Sequence, residues 1–263
     1  TAALKHVTLC EHSPGEAVQT NIIGVENVIS AANDNHVEKV IFTSSDKAVN
    51  PTNVMGTTKL MGERLMSAAN SSLRDEKTIF YSVRFGNILG SRGSVIPIFR
   101  QQIEAGADVT VTDSNMSRFI MSIKEAVNFV IDSGNIAIGG EVFITKMHSI
   151  NIQDLAEVMI SELAPMFSLN PHEIKIKIVG SRMGEKEYEE LTSEEETQRS
   201  IELEKYFVLL PAFRGIFRAN RYNYSSVISK NIDKPYNSTM QKQLNKKEIS
   251  DFLTSNNLLS ANE

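Results

Sequence analysis

A hydroxyl, a carboxylate and an ammonium group follow one another in the sequence at Ser45, Asp46 and Lys47. They come directly after the apolar run 37–44, whose β-branched and aromatic residues predict a strand buried on both faces. In α/β folds, ligands bind beyond the carboxyl ends of the parallel strands. A carboxylic acid and an amine placed there can serve as general acid and general base. This tripeptide is therefore the first candidate for a site of proton transfer.

A second pair of residues is expected to face the same volume. The chain break at Asn50-Pro51 is followed by a helix predicted to run to about Ala69. Met55 and Lys59 are four residues apart on this helix, so their side chains share one of its faces. The end of the strand and the first turns of the helix are therefore predicted to converge on one small volume.

The rest of the chain alternates between strand and helix patterns. A second apolar run, 77–85, predicts another buried strand, and the order strand, helix, strand predicts parallel pairing with right-handed crossovers. Capping-box patterns predict two further helix starts, one at Ser13 with Glu16 and one at Ser122 with Glu125. Together these patterns predict an α/β fold.

The spacing of Ser45, Met55 and Lys59 resembles the short-chain dehydrogenase/reductase pattern, in which a hydroxyl residue ends a strand and a Tyr-x-x-x-Lys pair begins the next helix. Met55 stands at the tyrosine position, and because a thioether cannot lose a proton, another group must act in its place. The stretch SSDKAVNPTNVMGTTKL resembles the inverting UDP-N-acetylglucosamine 4,6-dehydratases of the CapD-like polysaccharide-biosynthesis family, in the methionine form of the long, membrane-anchored members. The segments RFGNILGSRGSVIP and RMGEK extend the resemblance, which runs from Thr1 to about Pro211.

The resemblance implies a Rossmann-like, doubly wound parallel sheet of the extended short-chain dehydrogenase/reductase kind, with a smaller C-terminal substrate domain. Residues 1–92 would form the second part of the cofactor domain, 93–210 mostly the substrate domain interleaved with the last Rossmann elements, and 211–263 a peripheral arm. The sequence contains no G-x-G-x-x-G, although such an enzyme needs a glycine-rich turn for the cofactor pyrophosphate. We therefore expect the first βαβ units to lie upstream of Thr1.

A dehydratase of this family oxidises the sugar at carbon 4 with NADP, removes a proton from carbon 5, expels the carbon 6 hydroxyl as water and returns the hydride to carbon 6. The resemblance implies Lys47 as the base at carbon 5, which requires its pKa to fall from about 10.4 to about 7. Asp46 would protonate the departing hydroxyl, and Ser45 would hydrogen-bond the sugar near carbon 4. For the proton of the carbon 4 hydroxyl two routes are open, water relayed through Ser45 or Lys47 acting twice.

The resemblance also implies a set of ligand-binding residues. The expected cofactor is NADP, with NAD as the alternative, held by Lys59 at the nicotinamide ribose and by Ser44 and Asn21. Asn21 could instead be a core asparagine whose hydrogen bonds are satisfied within the protein. The residues predicted to bind a UDP-sugar are Lys5, Asn87, Ser94, Thr112, Arg118, Arg182, Gly184 and Glu185. No metal site is predicted.

Composition limits the class of protein. The net charge of −5 argues against a nucleic-acid partner, because phosphate backbones are bound by basic surfaces. The single cysteine excludes an intrachain disulfide and fits a reducing compartment. No apolar stretch approaches the roughly 18 residues of a membrane span, so we expect a cytoplasmic protein, and a homo-oligomer.

Three functions fit the sequence. The favoured one is a lyase that dehydrates UDP-N-acetylglucosamine at carbons 4 and 6, with inversion at carbon 5, for surface polysaccharide or glycan synthesis. A nucleotide-sugar 4-epimerase of the same superfamily needs no acid at carbon 6, so Asp46 argues against it. A catalytically silent scaffold would explain the absence of the tyrosine and of the glycine fingerprint.

Overall fold

The computed structural model describes residues 2–72, 78–91, 93–180, 184–213 and 221–260. The strands in these ranges are β1 (Lys39–Thr43), β2 (Ile79–Arg84), β3 (Asn87–Ile88), β4 (Val109–Val111), β5 (Ser117–Met121), β6 (Val142–Thr145), β7 (His148–Asn151), β8 (Ile176–Ile178), β9 (Ser200–Leu203), β10 (Tyr206–Leu209) and β11 (Val227–Ser229). The helices are α1 (Val7–His12), α2 (Pro14–Val18), α3 (Gly24–Asp34), α4 (Val54–Ser72), α5 (Val95–Glu104), α6 (Ile123–Ile136), α7 (Ile152–Met166), α8 (Glu194–Thr197) and α9 (Lys246–Ser255). A π-helical turn at Gln19–Ile23 joins α2 to α3, and a 3-10 turn covers Asp46–Ala48.

The chain folds as two compact units. The first contains Thr1–Phe85, Val127–Lys146 and Glu190–Tyr236, and the second contains Gly86–Ala126, Met147–Glu189 and Asn237–Glu263. Each unit is therefore built from three separate stretches of chain. The sequence predicted domain boundaries after residues 92 and 210. In the structure, both units contain segments from before and after each of these positions.

The first unit is built on a six-stranded sheet with the order β1-β2-β6-β10-β9-β11. β1 pairs in parallel with β2, and β2 with β6, which confirms the parallel pairing predicted for the two apolar runs. The remaining pairs are antiparallel, so the sheet is mixed. All five residues of β1 are half-buried, although the sequence predicted a strand buried on both faces. The reason is that β1 lies at one edge of the described sheet.

Helices cover both faces of this sheet. Successive residues of a strand point to opposite faces, and on β2 the side chain of Phe80 packs with Ala32 and with Met66 of α4. The next residue, Tyr81, belongs to a second cluster that includes Phe129 of α6. The first unit is therefore a three-layer arrangement, with α3 and α4 on one face and α6 on the other.

The second unit has its own core. It contains a three-stranded sheet, β3-β5-β7, and a two-stranded sheet, β4-β8. Phe99 of α5 and Leu155 of α7 lie in one apolar cluster with Ile249 and Leu253 of α9, which are 1% and 0% exposed. The sequence predicted that 211–263 forms a peripheral arm outside the core. That prediction is wrong for α9, because Ile249 and Leu253, four residues apart on this helix, belong to the buried apolar cluster of the unit.

The two predicted capping boxes had different outcomes. At the start of α6, the backbone N–H of Ser122 donates to Glu125 at 2.7 Å and the N–H of Glu125 donates to the Ser122 hydroxyl at 3.2 Å, as predicted. At Ser13 the side chain makes no capping hydrogen bond. This serine also ends α1, with its N–H bonded to the carbonyl of Leu9, and its backbone has the corresponding irregular conformation.

A buried ionic network joins three elements of the first unit. The fully buried guanidinium of Arg84 donates to Glu63 at 2.9 and 2.6 Å and to Glu196 at 2.8 and 3.1 Å. Burial tends to lower the pKa of Arg84, but the two carboxylates outweigh it and raise that pKa. Burial alone would raise the pKa of Glu196, and Arg84 holds it below its usual value instead. The network fixes β2 to α4 and α8.

Glu196→Gln would leave Arg84 with one carboxylate in an environment without water. We expect the free energy of unfolding to fall by about 3–5 kcal/mol, the usual cost of breaking a buried ion pair, as measured by urea denaturation. Glu195→Gln is the matched control, because Glu195 lies on the same helix and pairs with Arg199 while 66% exposed. Surface pairs contribute about 0–1 kcal/mol, so equal losses in the two variants would contradict the importance of burial.

Candidate active site

The backbone that follows β1 is held against the neighbouring strand. The N–H of Ser44 donates to the carbonyl of Val83 at 2.7 Å, and the N–H of Asp46 donates to the carbonyl of Phe85 at 3.1 Å. Ser45 has an extended backbone, and its hydroxyl accepts from the N–H of Lys47, which caps the 3-10 turn. The tripeptide predicted to carry the chemistry therefore lies on a backbone fixed by hydrogen bonds at the end of the strand.

The side chains of the tripeptide meet at one carboxylate oxygen. Oδ1 of Asp46 accepts from the Ser45 hydroxyl at 2.6 Å, from the Lys47 N–H at 2.9 Å and from Lys47 Nζ at 3.1 Å. The Asp46 side chain is 1% exposed, whereas that of Lys47 is 25% exposed. Two buried polar atoms beside them, Asp46 Oδ2 and Ser44 Oγ, have no hydrogen-bond partner among the described residues. A buried polar group of this kind is normally satisfied by a ligand or a water molecule.

Lys59 reaches the same strand end from α4. Its Nζ donates to the carbonyl of Thr43, the last residue of β1, at 2.9 Å, and lies 4.9 Å from the centroid of the Phe42 ring. Burial lowers the pKa of Lys59, and the nearby carboxylate of Glu63 opposes this effect only in part. The ammonium of Lys59 is therefore fixed at the end of β1, as the spacing of the sequence predicted.

Met55 lies in an apolar cluster beneath α1. Its side chain is 4% exposed and packs with Cys10 and Ala17, and with the half-buried residues Leu4, Val7 and Val54. Burial raises the pKa of the Cys10 thiol, with a smaller contribution from Glu11. The carboxylate of Glu11 also accepts from the N–H of Val54 at 2.6 Å and so caps α4 from outside the helix. The sequence patterns missed both α1 and this cap.

Asn21 lies in the π-helical turn and is 2% exposed. Its Oδ1 accepts from the N–H of Leu4 and its Nδ2 donates to the carbonyl of the same residue, both at 2.9 Å. Nδ2 also donates to the hydroxyl of Thr58 at 3.0 Å. Both amide hydrogens are thus used within the protein, and Asn21 ties the segment before α1 to the residue that precedes Lys59.

In the second unit, Arg118 is buried and holds a loop. Its side chain is 8% exposed, and Glu185 and Glu189 approach the guanidinium at 3.8 and 3.7 Å. The guanidinium nitrogens donate to three main-chain carbonyl oxygens, those of Ser117 (2.7 Å), Lys186 (2.8 Å) and Glu187 (3.1 Å). Arg118 therefore fastens the 184–189 segment to β5, a role that the sequence did not predict.

Three other residues predicted to bind the substrate lie in the second unit. Asn87 is half-buried at the start of β3. Ser94 is the N-cap residue of α5 but makes no capping hydrogen bond through its side chain, and its buried Oγ has no partner in the described part of the chain. The hydroxyl of Thr112 donates to the sulfur of Met116 at 3.4 Å. Of these three, Ser94 has a side chain ready to accept a further partner.

The remaining predicted substrate residues are spread along the chain. Lys5 is exposed, two residues before α1. Gly184 has a φ of 79°, a conformation that favours glycine. The side chain of Glu185 is 30% exposed beside Arg118. Arg182 lies outside the described residues.

Two kinds of feature are absent from the described ranges. Within them, no group of three or more His, Cys, Asp or Glu side chains could hold a metal ion. None of the helices described there is long and apolar enough to cross a membrane.

Comparison with solved structures confirms the predicted fold class, that of the extended short-chain dehydrogenases/reductases. The X-ray structure of Pen from Bacillus thuringiensis superposes with a TM-score of 0.89 at 42% sequence identity, covering 99% of this chain and 75% of that one. The family model described as polysaccharide biosynthesis protein matches residues 1–211.

Curated relatives carry several names. An uncharacterized membrane protein of Methanocaldococcus jannaschii is 51% identical over 252 residues, 96% of this chain and 72% of the relative. An inverting UDP-N-acetylglucosamine 4,6-dehydratase of Campylobacter jejuni is 40% identical over 227 residues, 86% of this chain and 65% of the relative. A UDP-glucose 4-epimerase of Rickettsia bellii is 39% identical over 253 residues, 96% of this chain and 72% of the relative.

The packing of Met55 predicts how substitutions at this position change the stability of the protein. Met55→Leu keeps both volume and polarity, so we expect a loss of less than about 1.5 kcal/mol in the free energy of unfolding. Met55→Tyr places a larger, polar ring in the cluster with Cys10 and Ala17, and overpacking of this kind costs about 1–3 kcal/mol. Urea denaturation of both variants measures the difference. A tyrosine variant as stable as the leucine variant would mean that the cluster has room for a phenol.

Proposed function

Because this chain belongs to the polysaccharide biosynthesis protein family, we propose that it is an NADP-dependent lyase that dehydrates UDP-N-acetylglucosamine at carbons 4 and 6, with inversion at carbon 5. Relatives at 38–40% identity are named dehydratases or 4-epimerases of nucleotide sugars. The product, a UDP-4-keto-6-deoxy sugar, would serve the synthesis of a surface polysaccharide or glycan.

The observation that carries this proposal is the buried acid beside a partly exposed amine. Asp46 Oδ1 and Lys47 Nζ are 3.1 Å apart, with the carboxylate almost fully buried and a quarter of the lysine side chain exposed. Elimination of water across carbons 5 and 6 needs a base for the carbon 5 proton and an acid for the departing hydroxyl. A neighbouring acid and base in different environments meet that need.

Each residue of the tripeptide then takes part in the elimination. Lys47, in its uncharged form, takes the proton from carbon 5. Asp46, in its protonated form, supplies the proton with which the carbon 6 hydroxyl leaves as water. The Ser45 hydroxyl hydrogen-bonds the sugar near carbon 4. A bound NADP would supply the hydride chemistry at carbons 4 and 6.

The residues around the strand end fit a bound cofactor. Ser44 Oγ and Asp46 Oδ2 are buried polar atoms without a partner in the described ranges, and Lys59 presents a fixed cation at the same strand end. Lys59 would hold the nicotinamide ribose, with Ser44 beside it. Asn21 uses its amide to hold Leu4 and Thr58, so its contribution would come through the position of α4. NAD remains the alternative cofactor.

For the UDP portion we propose the polar residues of the sequence motifs. Arg118 orders the segment that carries Glu185, and Ser94 offers a buried hydroxyl at the first turn of α5. The other proposed ligands are Lys5, Asn87, Thr112, Arg182 and Gly184. The diphosphate would be bound by arginine, which suits bidentate hydrogen bonds to phosphate oxygens.

A 4-epimerase is the second candidate, favoured by the relative from Rickettsia bellii, which covers 96% of this chain. Epimerisation removes and returns a hydride at carbon 4 and requires no acid at carbon 6. The buried Asp46 beside Lys47 has no task in that reaction, which is why dehydration is preferred.

The full-length protein, incubated with UDP-N-acetylglucosamine and NADP, distinguishes the candidates. Mass spectrometry of the nucleotide sugar should show a product lighter by one water molecule. An epimerase would leave the mass unchanged and alter the configuration at carbon 4, as seen by NMR. Unchanged substrate would overturn both the dehydratase and the epimerase proposal and favour a catalytically silent scaffold.

Lys47→Ala should abolish the exchange of the carbon 5 proton with solvent deuterium while UDP-sugar binding persists, since the base is lost and the nucleotide ligands are not. NMR of the sugar in D₂O measures the exchange, and calorimetry measures binding. The matched control is Lys205→Ala, which removes an exposed lysine from the same unit and should exchange normally. Normal exchange in Lys47→Ala would remove the lysine from the role of base.

A further inference from the structure

We propose that Ser45 and Asp46 form a proton relay that takes the proton of the carbon 4 hydroxyl and later delivers it to the departing carbon 6 hydroxyl. This inference rests on the proposed dehydratase function and deepens it. It identifies the group that replaces the missing tyrosine, and it gives the source of the proton on Asp46.

Three other described groups near the strand end are unsuited to accept the carbon 4 hydroxyl proton. Met55 has no proton to exchange and is packed in an apolar cluster. Lys59 donates to the carbonyl of Thr43 and is fixed there by α4. Lys47 is required at carbon 5, and its ammonium form has no lone pair with which to accept a proton. The Ser45 and Asp46 pair is left as the acceptor for the carbon 4 hydroxyl proton.

The geometry of this pair suits a relay. The Ser45 hydroxyl donates to Asp46 Oδ1 at 2.6 Å, a short hydrogen bond of the kind that a charged acceptor forms. Asp46 is 1% exposed, whereas Ser45 is half-buried, so a sugar can reach the serine more readily than the carboxylate. A serine hydroxyl can accept one hydrogen bond while it donates another. The proton of a sugar hydroxyl can therefore pass to Asp46 through Ser45.

In the first step, the carbon 4 hydroxyl is oxidised to a ketone. The O–H bond of the carbon 4 hydroxyl breaks, its proton moves to Ser45 Oγ, and the original Ser45 proton moves to Asp46 Oδ1. The hydrogen on carbon 4 leaves with its electron pair to the oxidised nicotinamide, and the electrons of the O–H bond form the ketone. At the end of this step Asp46 is a neutral carboxylic acid.

The second step returns the same proton. Lys47 takes the proton from carbon 5, and the electron pair of that bond forms a double bond between carbons 5 and 6. The bond between carbon 6 and its oxygen breaks, and the proton of Asp46 passes back through Ser45 to that oxygen, which leaves as water. Asp46 is again a carboxylate. When hydride returns to carbon 6, the electron pair of the double bond takes a proton from solvent on the opposite face of carbon 5, as inversion requires, and Lys47 keeps the proton that it removed and is again an ammonium group.

The relay also links the acid to the base. A carboxylate 3.1 Å from Lys47 Nζ stabilises the ammonium form of the lysine. Protonation of Asp46 by the carbon 4 proton removes that stabilisation, so a larger share of the partly exposed lysine can release its proton to solvent when carbon 5, now next to a ketone, must lose its proton. A finished 4-keto sugar brings no such proton, so Asp46 is in the same state with or without the Ser45 hydroxyl, and carbon 5 exchange then depends on Lys47 alone.

The test separates the two proton transfers in the full-length protein. Ser45→Ala should lower the rate of dehydration of UDP-N-acetylglucosamine by about 10²- to 10⁴-fold, the usual contribution of general acid and base catalysis. The variant is also given the finished UDP-4-keto-6-deoxy sugar in D₂O, where exchange of the carbon 5 proton needs Lys47 but not the relay. That exchange should continue at nearly the wild-type rate. Ser45→Thr, which keeps a hydroxyl, should restore most of the dehydration.

Ser30→Ala, which removes an exposed hydroxyl from α3, is the matched control and should leave both rates unchanged. Normal dehydration by Ser45→Ala would overturn the relay alone. An equal loss of dehydration and of carbon 5 exchange would also overturn it, because the serine would then merely position Lys47. Absence of dehydration by the wild-type protein would overturn the proposed function and the relay with it.

Discussion

The carboxylate of Asp46 lies where water cannot solvate it, so its charge has to be balanced by neighbouring donors. One oxygen receives three hydrogen bonds, from Ser45 and from two nitrogens of Lys47, while the other has no partner among the described residues. This asymmetry fixes the positions of the serine and the lysine and leaves one acceptor atom for a ligand. The chemistry proposed for this chain depends on that single buried group.

The scaffold supports this arrangement from two sides. Parallel pairing with β2 continues past the end of β1, through hydrogen bonds from Ser44 and Asp46, and so holds the backbone of the tripeptide. On the helix side, Glu11 caps the first turn of α4 and Asn21 fixes Thr58. Since Lys59 follows directly after Thr58, small shifts at the start of α4 would move its ammonium away from the strand end. The contacts that α1 makes with the start of α4 therefore help to fix the position of Lys59.

Local patterns were sufficient to predict the elements that carry the candidate site but not their surroundings. An apolar run, a chain break and a spacing of four residues predicted β1, α4 and the approach of Lys59 to the end of β1. Met55, which was predicted to face the same volume, packs with Cys10 and Ala17 instead. The helix α1 escaped prediction because six residues offer little periodicity, and such a short helix depends on tertiary packing. The carbonyl partners of Arg118 in the 184–189 segment lie 68 and 69 residues away along the chain, and no local pattern reveals contacts of that separation. For the same reason α9 was assigned to a peripheral arm although it completes a core.

The two lysines of the candidate site differ in the way that their proposed tasks require. Lys59 is buried against a carbonyl and an aromatic ring, and the nearest carboxylate on its helix, Glu63, is bound by Arg84. Its position is therefore fixed, and its three N–H groups make it a donor suited to holding hydroxyl groups. Lys47 is partly exposed and bonded to a carboxylate whose charge changes during the proposed reaction. A lysine in such a setting is open both to solvent and to a change of charge on its neighbour, which supports the proposal that Lys47 acts as the base and Lys59 as the anchor.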